Sequence, residues 1–517
     1  MQDHLFLIVG VAVAVAAIGR WRGFNPAIAL IGAGLALEFI FPSVTAGDIN
    51  PELVLSLVLA PLVFAAGLGS SAVDLRRVRR SVLLLAVGLV IITTFVVGWV
   101  VSAVVGLSLA AACALGAILA PTDAVAASSV AKKIGLPQRV QLVIEGESLA
   151  NDGTALTVLR VAVVAAVAGS VTLFDAGEIL FLAVVGGIGV GVVGGFGVSW
   201  LIRLSGVPVI VNSILIITPF VLYRISESIE GSGLLTMVIA GVWIAHTTYA
   251  SSQYESRIQA TAVWSLITFL LEAIAFCLVG VELFETASGV TQAPRWQLLA
   301  LIVSITLLLF LLRALFMWLW FLLGPRLVAK AFEDRRSTAK DFVAISLLGV
   351  RGPVSVLAAF SIPADFPGRA FVITLTFGVV ILSLLLTTVA SPVIDRLNLS
   401  TTTDELSLAH ARASVAKAAL KRLDEIVAEA DQSGDPIPES MVNRLRSMAV
   451  RRVELHTAEP DRAAEVKTHV RTIRGIQREM LRAERSALVR LERTTKTPGP
   501  VIRDLTNDID VRRRAIG

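Results

Sequence analysis

The chain has 517 residues, of which 55% are hydrophobic and only 16% charged, and its mean hydropathy is +0.79. Soluble domains carry about 25% charged residues, so a soluble globular enzyme is excluded for most of the length. The net charge of +5 reads as basic loops between membrane spans and not as a nucleic-acid surface, and the two cysteines, Cys113 and Cys277, lie in apolar blocks and exclude a disulfide framework.

Lipid offers no hydrogen-bond partners, so each apolar block of about 20 residues must be a helix. The first block, Leu5–Ile18, has Asp3 before it and Arg20 and Arg22 behind it. A signal peptide carries its positive charge in front, so this block is predicted to be an uncleaved span. In chain order the pattern predicts about thirteen spans, near residues 4–19, 26–41, 51–70, 81–105, 108–131, 139–168, 178–203, 208–228, 232–249, 258–283, 296–323, 340–361 and 369–394. The predicted fold class is an all-α membrane protein, with a transmembrane domain over residues 1–398 and a helical domain over 399–517.

Loop charges set the direction. The odd-numbered loops hold Arg20, Arg22, Arg76, Arg77, Arg79, Arg80, Lys132, Lys133, Arg139, Arg203, Arg257, Arg326, Lys330, Arg335, Arg336 and Lys340. The even-numbered loops hold only Arg295 and Arg369, beside acids such as Asp48, Asp175, Glu227 and Asp365. This bias predicts the N-terminus outside and, with an odd number of spans, the C-terminal domain in the cytoplasm of a multi-pass cell-membrane protein.

Ionisable residues inside spans are costly unless paired or hydrated. In the fifth predicted span Asp123 directly follows Pro121 and Thr122. Pro121 lacks a backbone donor, so the carbonyl one turn earlier loses its partner. Freed backbone groups beside Thr122 and Asp123 offer a dehydrating cation several oxygens and one negative charge. The sixth span supplies Glu145-Gly-Glu-Ser-Leu-Ala-Asn-Asp152. On a helix Glu147 and Asn151 are four apart, as are Ser148 and Asp152, so the pairs form adjoining faces, and Ser148 and Asp152 can both face Asp123. Two carboxylates close together in low dielectric resist joint ionisation, which suits a site where protons and a cation compete. Carboxylate, hydroxyl and carbonyl oxygens favour hard cations.

In the twelfth span Arg351 is a permanent cation, and Gly352-Pro353 interrupts the helix directly after it. A buried Arg needs a carboxylate, and Glu147 is the predicted partner in a structural ion pair. The proline-interrupted fifth and twelfth spans lie seven steps apart, compatible with two inverted repeats whose discontinuous helices meet at a secondary transporter's binding site. Asp123 alone also fits an interhelical hydrogen-bonding group, but the polar density of Glu145–Asp152 argues for function. Glu38, Arg160, Arg224, Glu272 and Arg313 read as snorkelling or structural. Gly189–Gly194 matches a dinucleotide fingerprint but sits in an apolar span with no strand before it. Gly187, Gly191 and Gly195, spaced by four, read instead as close helix packing. In the tail, residues 404–430 and 437–495 have helical spacing, the turn Gly434-Asp-Pro-Ile-Pro438 separates them, and the stretch after Pro498 is expected to lack fixed structure.

At these residues the sequence resembles the monovalent cation:proton antiporters, in the electroneutral sodium/proton exchanger branch that includes bacterial NhaP-type antiporters, over about residues 5–400. Pro121-Thr122-Asp123 is similar to the family's crossover motif, Glu147 through Leu156 to its Asn-Asp motif, and Leu348 through Ser355 to its Arg-Gly-x-x-Ser segment. The resemblance implies that Asp152 and Asp123 bind the sodium ion and the proton, with Thr122 and Ser148 as oxygen ligands and Glu147 paired with Arg351. The Asn151-Asp152 order is associated with one-for-one electroneutral exchange. The implied protein is a homodimeric antiporter in lipid, serving pH homeostasis by alternating access, with lithium or potassium as further substrates. It needs no cofactor, catalyses no reaction and binds no nucleic acid. One departure stands out: Phe64 is followed by Ala65-Ala66-Gly67, where many relatives carry an acid.

Two other classes also bury carboxylates. An intramembrane aspartyl protease uses two Asp residues, but its Tyr-Asp and Gly-x-Gly-Asp signatures are absent. A cation channel has no need of proton-competing carboxylates, and no carbonyl filter sequence is present.

Overall fold

The computed structural model describes the chain except residues 1, 23–25, 42–50, 135, 170–171, 206, 249–253, 290–293, 328–338, 397–401, 434–436, 458–471, 474, 489–504, 506–508 and 510–517. Helix is the only regular structure among the described residues, as a chain in lipid requires. In order come α1 (Gln2–Arg22), α2 (Ala27–Ile40), α3 (Pro51–Val54) and α4 (Ala60–Gly69), the last two joined by a π-helical turn at Leu55–Leu59. Next, α5 (Ala72–Leu83) runs through a second π turn, Leu84–Leu89, into α6 (Val90–Val105). The halves α7 (Leu109–Leu119) and α8 (Ala124–Ile134) follow, then α9 (Gln138–Ala168), α10 (Leu173–Ser205), α11 (Pro208–Ser228), α12 (Gly233–Thr248), α13 (Tyr254–Gly289) and α14 (Arg295–Leu327). A second pair of halves, α15 (Ala339–Leu347) and α16 (Pro353–Phe360), precedes α17 (Arg369–Asp395).

Seven of the described helices are long and apolar enough to cross a membrane, and shorter apolar helices include Ala27–Ile40, Leu55–Gly69, Leu109–Leu119 and Gly233–Thr247. The protein is therefore a multi-pass membrane protein. Helices cover the described parts of the apolar segments, and the segments near 108–131 and 340–361 are each broken in two. However, α5 is helical over the basic stretch Arg76–Arg80, where the charge pattern predicts a loop, because Ser71 caps its start.

Local chemistry explains several ends. Gly106, at φ 78°, closes α6 with its N–H donating to Ser102 O, and the Ser108 hydroxyl accepts from Ala111 N at the start of α7. Between helices in lipid there is little hydrophobic drive, so close approach depends on small residues. A Cβ on Gly34 of α2 would lie 2.9 Å from Gly280 Cα of α13, and one on Gly280 would lie 2.8 Å from Leu35 N, so these helices touch backbone to backbone. Gly187, Gly191 and Gly195 present α10 to α12, where added Cβ atoms would meet Ser232 O at 2.9 Å, Ile239 Cβ at 2.7 Å and Trp243 Cβ at 3.1 Å. The glycine spacing is a packing face. The halves α7 and α16 share one core with α1, α2, α13 and α17, while α8 and α15 share another with α5 and α9.

The chain divides into two compact units, Met1–Leu399 and Ser400–Gly517. In the second, α18 (Thr402–Ser433) packs on α19 (Glu439–Thr457), and Arg446 pairs with Asp424 at 2.6 Å. After Pro498 only Leu505 and Ile509 are described, and Ile509 is buried with Leu481 and Leu488. The rest of that stretch, and residues 458–471 of the second predicted tail helix, lie outside the described residues, as do Lys330, Arg335 and Arg336 of the eleventh predicted loop.

Candidate ion-binding site

The two broken helices cross. α7 stops at Leu119 and α8 starts at Ala124, because Pro121 cannot continue the ladder. α15 stops at Leu347, and α16 restarts at Pro353 in its first turn, where a missing N–H costs nothing. The N–H of Asp123, which would have bonded Leu119 O in an unbroken helix, donates instead to Val350 O at 2.8 Å. Leu119 O is satisfied by Arg351 Nε at 2.7 Å, and Arg351 Nη1 also donates to Gly349 O. Arg351 thus sits at the negative ends of two half-helices, while Asp123 O accepts from Ala127 N at 3.2 Å at the positive start of α8. Each charge matches the dipole it faces. The N–H of Arg351 donates to Ser383 Oγ of α17 at 3.1 Å. Gly352 lies so close to Asp123 that an added Cβ would fall 2.6 Å from Asp123 Oδ2.

α9 brings the second cluster against this crossing. Asn151 Nδ2 donates to Thr122 Oγ1 at 2.9 Å, Thr122 Oγ1 and Ser148 Oγ are 3.2 Å apart, and Thr122 Oγ1 donates to Glu147 Oε1 at 3.4 Å. Thr122, Glu147, Ser148 and Asn151 are all buried. Asp152 is within electrostatic reach of Asp123, and its Oδ1 is buried without a hydrogen-bond partner among the described residues. Among the described residues no group of three or more His, Cys, Asp or Glu could hold a metal ion; the oxygens gathered here belong to the carboxylates of Asp123, Asp152 and Glu147, two hydroxyls and an amide. The five residues expected as ion ligands, Thr122, Asp123, Ser148, Asn151 and Asp152, thus lie around one crossing, with Glu147 beside them.

One pairing is different. The predicted partner of Glu147 was Arg351, but its carboxylate is held by Arg313 of α14, through Nη1 to Oε1 and Nη2 to Oε2, the second at 2.8 Å. Both side chains are 1% exposed. Arg313 Nε donates to Ile345 O at 3.0 Å, and Gly349 packs against its Cδ and Nε. Arg351 lies within electrostatic reach of Glu147, while its own side-chain hydrogen bonds go to two helix-end carbonyls. Arg313, which the sequence marks only as snorkelling or structural, is thus a buried structural partner; nothing in the sequence says with which acid. Glu272 on α13, read from sequence as snorkelling or structural, lies within electrostatic reach of Asp123 and of Arg20. The Arg20 guanidinium stands 5.4 Å over the Phe269 ring one turn earlier. Arg160 pairs with Glu227 at 3.7 Å near the edge of the bundle. On α4, Ala65 is half-buried and brings no carboxylate, while Phe64 stacks on Trp264 with ring centroids 5.5 Å apart.

Two discontinuous helices crossing beside buried carboxylates, within a many-helix membrane body, define a secondary transporter. The chain belongs to the sodium/hydrogen exchanger family, whose transmembrane sequence model matches residues 7–394, and it is thus a cation/proton antiporter and not an enzyme. It is 32% identical over 446 residues to the sodium, potassium, lithium and rubidium/H(+) antiporter of Bacillus pumilus, covering 82% of this chain and 66% of that protein. It is 29% identical to the antiporter of the same description from Bacillus subtilis, covering 98% of this chain and 78% of that one. In fold it is similar to the sodium proton antiporter MjNhaP1 from Methanocaldococcus jannaschii, with a TM-score of 0.60 and 17% identity over 77% of this chain and 98% of that one.

Proposed function

We propose that this protein exchanges a monovalent cation for protons at Asp152 and Asp123, which hold either a proton or the cation and never both. The observation that carries this reading is the buried Oδ1 of Asp152, for which the described residues provide no donor, beside a second carboxylate. An ionised acid in that position requires a cation, and without one it must take a proton. Thr122 and Ser148 supply neutral oxygens for the dehydrated ion, and Asn151 orients Thr122. Glu147, Arg313 and Arg351 are structural. Alternating exposure of one shared site is sufficient for coupling, and the Asn151-Asp152 order supports one-for-one, electroneutral exchange.

Sodium is the leading substrate. Because the Bacillus relatives are described as antiporters of sodium, potassium, lithium and rubidium, and Ala65 contributes no acid, a broad alkali-cation range is expected, potassium included. Thirteen spans in two inverted repeats, an outside N-terminus, a cytoplasmic tail and a homodimeric state complete the reading, supported by loop charge and by the resemblance.

Reconstitution into liposomes with an imposed pH gradient tests it. Sodium, lithium and potassium should dissipate the gradient at rates independent of membrane voltage; failure of all three removes the proposal, and a voltage-dependent rate removes electroneutrality. Asp152→Asn should abolish exchange in a protein that still folds.

A further inference from the structure

A groove of about 890 Å³ opens where α6 ends and where α14 and α17 begin. Its walls are apolar, with Val104, Ala300, Leu301 and Leu308 among them, and its mouth carries Trp296 and Arg369. Val104 is 68% and Trp296 67% exposed, so the groove faces the surroundings of the helix bundle, which in a membrane means lipid. The mouth lies at helix ends, at the depth of lipid headgroups, where tryptophan is favoured.

The charge at this mouth is unusual for this chain. Arg295 and Arg369 are the two basic residues found on the even-numbered loops of the sequence; Arg369 lines the groove, and Arg295 is the residue directly before Trp296, which also lines it. Arg295 begins α14, immediately before Trp296 and Gln297 of the groove. Arg369 begins α17, and its Nε donates to Ile362 O at 3.1 Å, which fixes the guanidinium while its terminal nitrogens have no partner among the described residues. The nearest acid along the chain is the exposed Asp365, leaving a net positive mouth over an apolar cleft. We infer that the groove binds an anionic phospholipid, its phosphate taken by Arg369 and Arg295 and an acyl chain lying along α14. Guanidinium matches phosphate in shape as well as charge, and basic pockets between membrane helices recognise anionic headgroups.

The test uses the full chain purified in detergent, with thermal unfolding followed as phosphatidylglycerol, phosphatidylcholine or inorganic phosphate is added. Phosphatidylglycerol should raise the midpoint by about 5 °C, well beyond the other two. Arg295→Gln with Arg369→Gln should reduce that shift to the phosphatidylcholine level. Ala300→Trp, which fills the groove and leaves both arginines in place, should reduce it equally, so a folding defect in the arginine variant does not leave the question open. Arg79→Gln with Arg80→Gln, at the opposite end of the same continuous helix, should keep the full shift. Equal shifts with both lipids, full stabilisation by phosphate alone, or a full shift in the Ala300→Trp protein would overturn the assignment. So would disulfide-linked pairs formed through Ser304→Cys in native membranes, which would mean that a second copy of the chain covers this face.

Discussion

Glu147 and Arg313 meet through two parallel hydrogen bonds with almost no solvent access, so removing either one strands the other's charge in the core. Arg313→Met is expected to destabilise the protein by about 3–5 kcal/mol, read as a fall in thermal midpoint. The double variant Glu147→Leu with Arg313→Met should recover much of that loss, and strictly additive losses would show that the pair is not coupled. Arg351 makes a contrasting case. Its fork spans two carbonyls of different half-helices, a geometry that a lysine ammonium lacks. Arg351→Lys should therefore slow exchange strongly in proteoliposomes while lowering the midpoint less than Arg313→Met does. The proposed ion ligands stand out in the sequence, because Thr122, Asp123, Ser148, Asn151 and Asp152 are polar where nothing polar belongs. The partner of Glu147 was not legible: Arg313 is 166 positions away, and charge alone made Arg351 an equally valid candidate.

Both helix breaks were readable from Pro121 and from Gly352-Pro353, since proline removes the donor that a helix interior needs. What sequence does not encode locally is the crossing, in which each broken helix satisfies groups that the other has freed. Gly352 makes the crossing tight. Gly352→Ala would place a methyl group against the Asp123 carboxylate and push the two segments apart. A loss of about 1–3 kcal/mol is expected from such overpacking, with exchange falling further than stability because the displaced group is Asp123. Activity equal to the parent protein would mean that the crossing moves freely. The α2–α13 contact was equally hidden from sequence, since Gly34 and Gly280 touch across two helices and share no spacing motif. Gly34→Ala is expected to lower the thermal midpoint through that contact, and Gly32→Ala, which faces open space, is not.

Over the whole molecule, one shared carboxylate site has a simple pH signature. A proton that occupies the site excludes the cation, so the KM for sodium should rise as pH falls on the cation side, while the maximal rate changes less. A KM that is flat across pH 6–9 would separate the two ligands. All the proposed ion ligands lie in the first compact unit, so a chain ending at Leu399 should still exchange cations in liposomes; complete inactivity of a folded truncation would place the tail in the mechanism. The crossing also has a history during synthesis. Leu119 waits 232 positions for Arg351, which at ribosomal speeds is roughly 10–50 s. Throughout that interval the first broken segment holds an unsatisfied carbonyl and an acid beside lipid. It must therefore stay wet or only shallowly inserted, as an unfinished span that settles when the chain's last third arrives.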